Sequence, residues 1–562
     1  MIYYTGVTIG PIFDTISNAT IPAALWFASY LFSDLCGRLC KGVSEIPGAV
    51  ILSPFYNGAE ENDGVGKYHD RIVFYTDYFD SKSALDEKLK TVIQTVITET
   101  VDVFPDEALQ ASNEKTERYS RERFLIFLKE YLQIHYVILS EKETDGKNVI
   151  LALSPYLDAL ELMKTFPMDS AIDPFRRMFA RKDVLKDSGN ALIKKSVLFP
   201  SDAGNFLTGK NWNIRSISEI ARTVRDSERK RDYYYAVVSA DGDGMGKFLQ
   251  GLDNESVSFF SKGCLAYDKK AAEIIADYGG MPIYAGGDDL LFLAPLTGTV
   301  KDFSDAEAAE KRDKDIVSLC GALRDLFVNT IRTEFETEFK KAFPEKDMPL
   351  LEFPTLSFGV AVQFEKFPLY EALEQSRNLL YQAKKKIYQG KKDNILLELR
   401  KHSGKSAALL IHNPDIEAFE ELSKAARGEN LDSEKPTALL YTLQNFHSVV
   451  SVLIANTRKS LNAGECPDAL KKNFVLSWGN LFDNPGQEIS KEYTDGVGDA
   501  YFTRLLSENR RVSVPTYAMP SEFQDNSLRT LVNILIYEKF MREKVSEQER
   551  TDSLKTEAGE AS

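Results

Sequence analysis

The strongest constraint on this chain is a set of three apolar runs that end in glycines and carboxylates. Residues 233–240 (YYYAVVSA) form a continuous apolar and aromatic run, and DGDGMGK (241–247) follows at once. Two further runs, 281–285 and 290–295, are separated only by Gly-Gly-Asp-Asp. The first run predicts a strand covered on both faces, and the other two predict a tight hairpin. The sequence therefore predicts a buried sheet with carboxylates gathered at one edge.

The apolar runs predict the same order of elements twice, strand, helix, two strands, helix and strand. The strands predicted in the first half are 2–9, 49–52, 72–75 and 135–139, with a helix at 22–39. Those predicted in the second half are 233–240, 281–285, 290–295, 355–362 and 395–399, with a helix at 256–279. This order is typical of the ferredoxin-like βαββαβ unit. The predicted fold class is α+β, with two ferredoxin-like palm domains and helical modules between and after them.

Composition and periodicity divide the chain into five predicted modules. Beyond about residue 405 the apolar spacing is helical throughout, and the last residues are polar and acidic. The modules are a first palm-like domain (1–165), a helical linker module (166–230), a second palm domain (231–405), a C-terminal helical domain (406–546) and an acidic disordered tail (547–562).

The charge balance limits the partners of this chain. It has 69 Lys and Arg against 84 Asp and Glu, a net charge of −15, which disfavours binding nucleic acid over the whole surface. Residues 377–405 are the exception, with nine Lys and Arg against two Asp and Glu. Five scattered cysteines without a CxxC pair fit a reducing compartment. The uncharged stretch 15–33 contains several polar residues and predicts a buried helix rather than a membrane segment, so we expect a cytoplasmic protein.

Three carboxylates predict a metal site. Asp241 follows a buried strand, and Asp288 and Asp289 lie in the turn of the neighbouring hairpin. With no protein cation expected between them, such carboxylates would repel one another, and oxygen ligands favour Mg²⁺ or Mn²⁺. Two such ions can activate a hydroxyl and stabilise the pyrophosphate that leaves an α-phosphate. We therefore expect a nucleotidyl-transferring site with Asp241, Asp288 and Asp289 as catalytic residues and metal ligands.

Small and basic residues around these carboxylates predict a nucleotide site. Glycines let backbone N–H groups approach phosphates, the small pair on strand 355–362 leaves room for a nucleotide, and two lysines flank a helix end near the phosphates. The predicted nucleotide-binding residues are Gly242, Asp243, Gly244, Met245, Gly246, Lys247, Gly286, Gly287, Ser357, Gly359, Lys384 and Lys391.

These motifs resemble the CRISPR polymerase family, the large subunit of type III CRISPR complexes, especially its Cmr-type branch. LWFASYLFSDL (25–35) is similar to the Trp-containing helix of the first palm of that family, and GVGKYHDRIVF (64–74) to a segment leading into a palm strand. The resemblance implies that the second palm binds donor ATP and two metal ions, and that the first palm binds an acceptor nucleotide. It also implies partner subunits, a CRISPR RNA and a target RNA that switches on synthesis of an adenylate second messenger, usually cyclic oligoadenylate.

The chain departs from many relatives in two respects. Its five histidines form no cluster of the kind that an HD nuclease needs, so the resemblance is to an HD-less variant and we expect no DNA cleavage. Asp70 stands where relatives often have Asn, and a carboxylate there would attract an ammonium group. Asp70 and Lys67 are therefore candidate acceptor-binding residues, with S-adenosylmethionine as a second possible acceptor. The alternative is a surface Asp70 paired with Arg71 or another basic residue.

Two other functions remain open from the sequence. A diguanylate cyclase shares a similar palm, but the turn here is Gly-Gly-Asp-Asp and a second palm-like unit is present. A non-catalytic scaffold subunit of the same ribonucleoprotein would be expected to have lost its carboxylates, whereas Asp241, Asp288 and Asp289 are all intact. A preference for ATP over GTP would distinguish this protein from a diguanylate cyclase. Loss of product when the carboxylates are replaced would distinguish it from a non-catalytic scaffold.

Overall fold

The structure of this 562-residue chain is a computed structural model. It describes residues 1–58, 68–103, 120–163, 215–223, 229–299, 313–385, 392–402, 404, 406–428, 434–482, 490–515 and 525–544. Most of the predicted linker module and the whole of the predicted tail lie outside these residues, as do Lys67 and Lys391.

The first sheet contains four strands in the order β2-β3-β1-β4. The strands are β1 (Tyr3–Gly10), β2 (Val50–Ser53), β3 (Arg71–Thr76) and β4 (Gln133–Ser140). The helices are α1 (Ile12–Ile16), α2 (Pro22–Ser44), α3 (Lys82–Val103), α4 (Arg121–Tyr131) and α5 (Val149–Glu161). Every pairing in this sheet is antiparallel, which with this order is the ferredoxin-like arrangement. The prediction of a first ferredoxin-like palm is confirmed.

Helix α2 carries most of the stretch that lacks charges. Its Trp26 and Leu35 are fully buried, and almost every residue in its first half is buried against the sheet and neighbouring helices. The prediction of a buried helix is therefore confirmed. Within the described residues no single helix is long and apolar enough to cross a bilayer, and one bent pair, Glu434–Asn445 with His447–Asn462, meets that criterion by length and composition only.

The second palm repeats the ferredoxin-like order. Its first strands are β5 (Tyr234–Asp243), β6 (Met281–Gly286) and β7 (Asp289–Pro295), then the small pair β8 (Thr297–Thr299) and β9 (Asp313–Asp315), and β10 (Thr355–Phe364). Its helices are α6 (Ile217–Ala221), α7 (Met245–Gln250), α8 (Asn254–Tyr278), α9 (Ile316–Ala342) and α10 (Leu369–Lys385). The antiparallel order β10-β5-β7-β6 matches that of the first sheet, and the predicted second palm is confirmed.

The second sheet extends further than the sequence predicts. Strand β11 (Asn394–Arg400) runs parallel to β10, β12 (Ser406–His412) pairs with β11, and β13 (Val512–Ser513) pairs with β12. Strand β10, not the run 395–399, completes the ferredoxin-like unit, and the prediction that all residues beyond 405 are helical is wrong. The run AALLI in β12 has residues that also favour helices, and pairing with the open edge of β11 decides its conformation.

Six helices are described after β12, and the first and the last of them pack against this extended sheet. They are α11 (Ile416–Arg427), α12 (Glu434–Asn445), α13 (His447–Asn462), α14 (Pro467–Phe482), α15 (Lys491–Tyr501) and α16 (Asn526–Arg542). Helix α16 is buried on nearly every side, and Asn533 in it accepts a hydrogen bond of 3.1 Å from the backbone of Ala408 in β12. The C-terminal helices and the second palm therefore share one hydrophobic core.

The two palms share buried apolar residues, and a pair of asparagines adds hydrogen bonds between them. The Asn148 side-chain amide donates to the Leu252 carbonyl at 3.0 Å, and the Val149 backbone donates to the Asn254 side chain at 2.9 Å. These bonds hold the start of α5 in the first palm against the start of α8 in the second. A cleft remains between the palms, and it contains the predicted carboxylates.

Candidate active site

The strand register brings the predicted carboxylates to one edge of the second sheet. Ala240 of β5 pairs with Leu290 of β7, so the next residue, Asp241, lies beside the β6–β7 turn. Gly286 pairs with Asp289 across that turn, and Gly287 has a φ of +76°, which glycine adopts without strain. Asp288 follows in the turn and points back over β5.

The first glycine of DGDG makes room for Asp288. A methyl group on Gly242 would lie 2.5 Å from Asp288 Oδ2 and 2.7 Å from its Cβ. Asp288 thus packs directly on the β5 backbone, beside Asp241. In this structure Gly242 leaves space for the Asp288 carboxylate. Its predicted role was to let a phosphate approach the backbone.

A lysine lies among the carboxylates, contrary to the prediction that no protein cation separates them. Lys384, in the last turn of α10, donates a short hydrogen bond to Asp241 Oδ2 and another of 2.7 Å to the Gly242 carbonyl. Its Nζ also lies 3.9 Å from Asp243 Oδ1. The sequence placed Lys384 near the phosphates of a nucleotide, but here it neutralises Asp241.

The carboxylates of the turn hold their protons more tightly than ordinary aspartates. Burial, and then the charge of Asp241, raise the pKa of Asp288 from 3.8 to about 6. Removal from bulk water inside the cleft, followed by the charges of Asp288 and Asp241, raises the pKa of Asp289 well above its usual range. Asp289 still has an accessible surface at the mouth of the cleft. A bound cation would relieve these repulsions.

The donor set fits a hard divalent cation in its chemistry. Asp241, Asp288 and Asp289 offer carboxylate oxygens, the ligands that Mg²⁺ and Mn²⁺ prefer, and their mutual repulsion favours a positive charge between them. As these side chains stand, no three His, Cys, Asp or Glu residues in the described part of the chain are grouped closely enough to hold a metal ion. Lys384 occupies one side of Asp241 instead.

The rest of the DGDGMGK motif divides into buried and open residues. Asp243 is buried, accepts a hydrogen bond of 2.5 Å from Ser357 and another of 2.9 Å from the Asp393 backbone, and burial raises its pKa. Its predicted contact with a nucleotide is therefore wrong in this structure, because its carboxylate faces the core. Gly244 has a φ of +79° at the start of α7, and a methyl group on Gly246 would meet no atom within 4 Å.

Two other predicted residues of this region face the cleft or solvent. Met245 lines the cavity between the palms together with Asp241. Lys247 is exposed on α7 and forms an ion pair with Glu352. Lys391 lies outside the described residues.

The space predicted beside Ser357 and Gly359 is filled by a helix. A methyl group on Gly359 would lie 2.1 Å from the Ser376 carbonyl and 2.3 Å from the Leu380 backbone nitrogen, both in α10. Ser357 is fully buried against Asp243. The prediction of open room for a nucleotide on this face is wrong, and the small residues instead allow α10 to approach β10 closely.

The first palm contributes Asp70 to the cleft. A cavity of about 360 Å³ between the palms is lined by Asp70, Asp241, Asp288 and Asp289, among others. Arg71 forms ion pairs with Asp158 at 2.6 Å and Glu161 at 2.8 Å, while the Asp70 side chain forms no ion pair within the described residues. Burial, then the charge of Glu161, raise the pKa of Asp70. The alternative of an Asp70–Arg71 surface pair is wrong.

His69 and Arg377 lie at the same cleft, and neither is assigned a role by the sequence motifs. A methyl group on Gly287 would lie 3.5 Å from His69 Cδ2, and burial lowers the pKa of His69 to about 4. Arg377 lies 3.9 Å above the Phe13 ring and lines a second cavity of about 470 Å³ with Asp70, Asp241 and Asp289. The only sequence feature that pointed to Arg377 was its place in the basic stretch 377–405. Its position at the cleft depends on contact between the palms, which no local motif predicts.

Comparison with known proteins agrees with this architecture. Residues 234–396 match the model of the Cas10/Cmr2 second palm domain. The CRISPR system Cmr subunit Cmr2 of Pyrococcus furiosus is 26% identical over 257 residues, which are 40% of this chain and 26% of that protein. The match thus spans about a quarter of the length of this curated relative.

Solved structures share the fold over nearly the whole chain. The type III-B Cmr-beta complex in its apo state contains a chain with a TM-score of 0.55 and 12% identity, covering 97% of this chain and 82% of that one. In Cmr-beta bound to cognate target RNA the TM-score is 0.53 at 13% identity, covering 97% and 83%. At this identity the likeness concerns the fold alone. The resemblance to the Cmr-type branch of the CRISPR polymerase family that the sequence predicts is therefore confirmed, and the match to the family model covers the second palm.

Proposed function

We propose that this chain is the nucleotidyltransferase subunit of a type III CRISPR antiviral complex and makes an adenylate second messenger from ATP when target RNA is bound. The observation that carries the proposal is the cleft between the palms, where Asp241, Asp288 and Asp289 of one palm face Asp70 of the other. A site that joins a donor to an acceptor needs two facing surfaces and a negative cluster that can hold metal-bound phosphates.

In this proposal Asp241, Asp288 and Asp289 hold two Mg²⁺ or Mn²⁺ ions, which would neutralise the donor phosphates and polarise the acceptor hydroxyl. Lys384 exchanges its contact with Asp241 for one with the phosphates. Gly244 and Gly246 leave the start of α7 open for the donor. The other residues proposed around the donor are Gly242, Met245, Lys247, Gly286, Gly287 and Lys391.

The proposed reaction is an in-line displacement on the α-phosphorus of ATP. The acceptor oxygen loses its proton to water and forms a bond to phosphorus, while the bond to the oxygen bridging the α- and β-phosphates breaks. Pyrophosphate leaves with that electron pair. Carboxylates cannot replace the charge that the metals supply, so loss of the metal ligands should stop this step entirely.

The acceptor is proposed to bind against the first palm. Asp70 offers a carboxylate that forms no ion pair in the described part of the chain and would attract an ammonium group, and Lys67 is the proposed partner of an acceptor carboxylate. Two acceptors follow from this: a second adenylate, which leads to cyclic oligoadenylate, or S-adenosylmethionine, which leads to a conjugate with AMP. DNA cleavage is not part of the proposal.

The proposed partners are the other subunits of a Cmr-type complex, a CRISPR RNA and a target RNA. One similar chain lies in a Cmr-beta complex bound to cognate target RNA, which supports this assignment. The proposed modules are 1–165, 166–230, 231–405, 406–546 and 547–562, with the donor site in the third of them and the acceptor site in the first.

The direct test is the double variant Asp288→Ala, Asp289→Ala in the assembled complex with target RNA and labelled ATP. We expect product formation to fall at least a thousandfold, because both carboxylates of the turn are lost. Assembly should be unchanged, since both side chains lie in a cleft within one chain. Asp325→Ala is the matched control, as its side chain is 66% exposed on α9. Persistent product in the double variant would refute the site.

The acceptor is tested by running the same reaction with and without S-adenosylmethionine and measuring the product mass. If Asp70 binds an ammonium group, product requires S-adenosylmethionine, and Asp70→Asn raises its KM at least tenfold with a smaller effect on the KM for ATP. Equal product without S-adenosylmethionine would leave cyclic oligoadenylate as the product.

A further inference from the structure

A third cavity lies at the opposite end of the palm sheet from the carboxylates. Strands β10 and β11 are parallel and joined by α10, and a cavity of about 800 Å³ lies beyond their carboxyl ends. From Ser357, which pairs with Asp241, to Gln363 at this cavity is about 20 Å along β10. The crevice beyond the carboxyl ends of parallel strands is a common ligand-binding position in α/β folds.

The cavity contains a buried amide that lacks a partner. Gln363 lines it and is 1% exposed, and its Nε2 has no hydrogen-bond partner within the described residues. Gln382 on α10 lines the same cavity, and its Oε1 is also buried without a partner in that part of the chain. A buried polar group without a partner is costly, so the open Gln363 amide indicates a ligand that pairs with it. Gln382, in the last turn of α10, lies too far along the helix to pair with the same group.

The charges around this cavity favour an anion. Lys366, Arg400 and Lys401 line it, against one acidic residue, Glu398. Glu398 is buried and already accepts hydrogen bonds from Arg400 at 2.5 Å and from the Gln375 amide at 3.0 Å. Helix α10 also begins at this cavity, so its positive end adds to the same field.

Aromatic rings complete the lining. The Phe364 and His402 rings lie 5.3 Å apart, and Phe367 lines the cavity beside them. Flat apolar rings next to open amide groups suit a nucleobase, which stacks on one face and hydrogen-bonds along its edge. The volume of the cavity is within the range of small-ligand sites.

We propose that this cavity is a second nucleotide-binding site, which takes the phosphate toward Lys366 and Lys401 and the base toward Gln363. It is separate from the proposed donor and acceptor sites and does not depend on the proposed catalysis. Its ligand is either a free nucleotide or one nucleotide of a single-stranded RNA, since both present the same phosphate and base.

The test is photo-crosslinking of the full chain with 8-azido-AMP, followed by mass spectrometry of the labelled peptides. We expect label in peptides from 363–382 or 393–402. Gln363→Leu should lower this label at least tenfold and Lys366→Ala several-fold. Gln363→Leu should leave the melting temperature equal or higher, because it removes a buried amide without a partner. Lys340→Ala, an exposed lysine on α9, is the control and should change neither quantity.

Competition identifies the source of the nucleotide. Excess AMP should remove the label in either case. Loss at lower concentrations of AMP than of 5′-phosphorylated tetra-adenylate indicates a free nucleotide, and loss at much lower concentrations of the tetra-adenylate indicates an RNA strand. Competition by inorganic phosphate as strong as that by AMP would overturn the proposal, as would full labelling of Gln363→Leu or label confined to the cleft between the palms. The Asp288→Ala, Asp289→Ala variant should keep this label, so failure of the catalytic proposal is distinguishable.

Discussion

At the scale of single residues, both burial and the charge of Asp241 disfavour the ionised form of the Asp288 side chain. Its pKa of about 6 lies above the ordinary 3.8, so the folded protein binds this proton more tightly than the unfolded chain. The contribution of this group to the free energy of unfolding is therefore fully present below pH 4, and it is lost as the pH rises through 6. In metal-free protein, Asp288→Asn should raise the free energy of unfolding at pH 7.5 by on the order of 1 kcal/mol.

The measurement is urea unfolding in EDTA at several pH values. The gain of Asp288→Asn should shrink as the pH falls from 7.5 to 5, because wild-type Asp288 then carries a proton. Added Mg²⁺ should shrink the gain at pH 7.5 as well. A gain that is the same at pH 5 and pH 7.5 would show that charge repulsion is not its cause.

The glycines of DGDG offer a second prediction. Gly242→Ala places a methyl group 2.5 Å from Asp288 Oδ2, so it should displace this carboxylate and cost about 1–3 kcal/mol of stability. Product formation should fall at least a hundredfold. Gly246→Ala is the matched control in the same motif, with no atom within 4 Å of the added methyl, and its unfolding should change by less than about 0.5 kcal/mol. Equal effects of the two would contradict the packing argument.

The sequence predicted the three carboxylates but not the environment of each. Strand ends and a glycine turn are local features, so sequence patterns alone were enough to predict that Asp241, Asp288 and Asp289 share one edge. Lys384 is 143 residues from Asp241. The direction of its flexible side chain depends on how α10 packs on β10, which local spacing does not determine.

At the scale of elements, the contact between β10 and α10 depends on Gly359. Its Cβ position lies 2.1 Å from a backbone carbonyl of the helix, which cannot move without shifting α10. Gly359→Ala should therefore cost about 2–4 kcal/mol, measured by chemical denaturation. Gly496→Ala, at an exposed position of α15 with open space, should be neutral or stabilise by up to about 1 kcal/mol. Gly359→Ala with wild-type stability would refute this contact.

The elements that the sequence predicted best are those whose residue pattern fits only one kind of secondary structure. The continuous apolar run at β5 and the hairpin of β6 and β7 lie within three residues of their predicted ends. The apolar run at β12 was predicted as helix because Ala and Leu suit both states. This run forms a strand because it pairs with the open edge of β11. That edge is created by the folded sheet and is not visible in the local sequence.

At the scale of the whole molecule, two asparagines add hydrogen bonds between palms that also share buried apolar residues. Replacing Asn148 and Asn254 by Ala removes the bonds to the Leu252 carbonyl and from the Val149 backbone. Each lost bond should cost about 1 kcal/mol, and the palms should still unfold as one unit because they share buried apolar residues. Urea unfolding followed by tryptophan fluorescence, which reports all three tryptophans of the chain, and by circular dichroism should give coincident transitions at a lower midpoint than that of the wild type.

Asn462→Ala, at the end of α13, is the control for that double variant and should keep the wild-type midpoint. An unchanged midpoint of the double variant would contradict a stabilising role of these hydrogen bonds, and separate transitions would contradict coupling of the palms by their shared apolar residues. The cleft itself follows from this docking and was not predictable in detail, because His69 and Gly287 are far apart in sequence and meet only across the palms.

The extension of the second sheet by β12 and β13 has a consequence for engineering. A fragment that ends at residue 405 would leave the hydrogen-bonding groups of β11 open, and an unpaired apolar edge invites association with other chains. Swapping catalytic palms between relatives at that position would separate strands of a single sheet. Chimeras should instead exchange everything from β5 through α16 as one block, since β13 and α16 return to the same sheet from far along the chain.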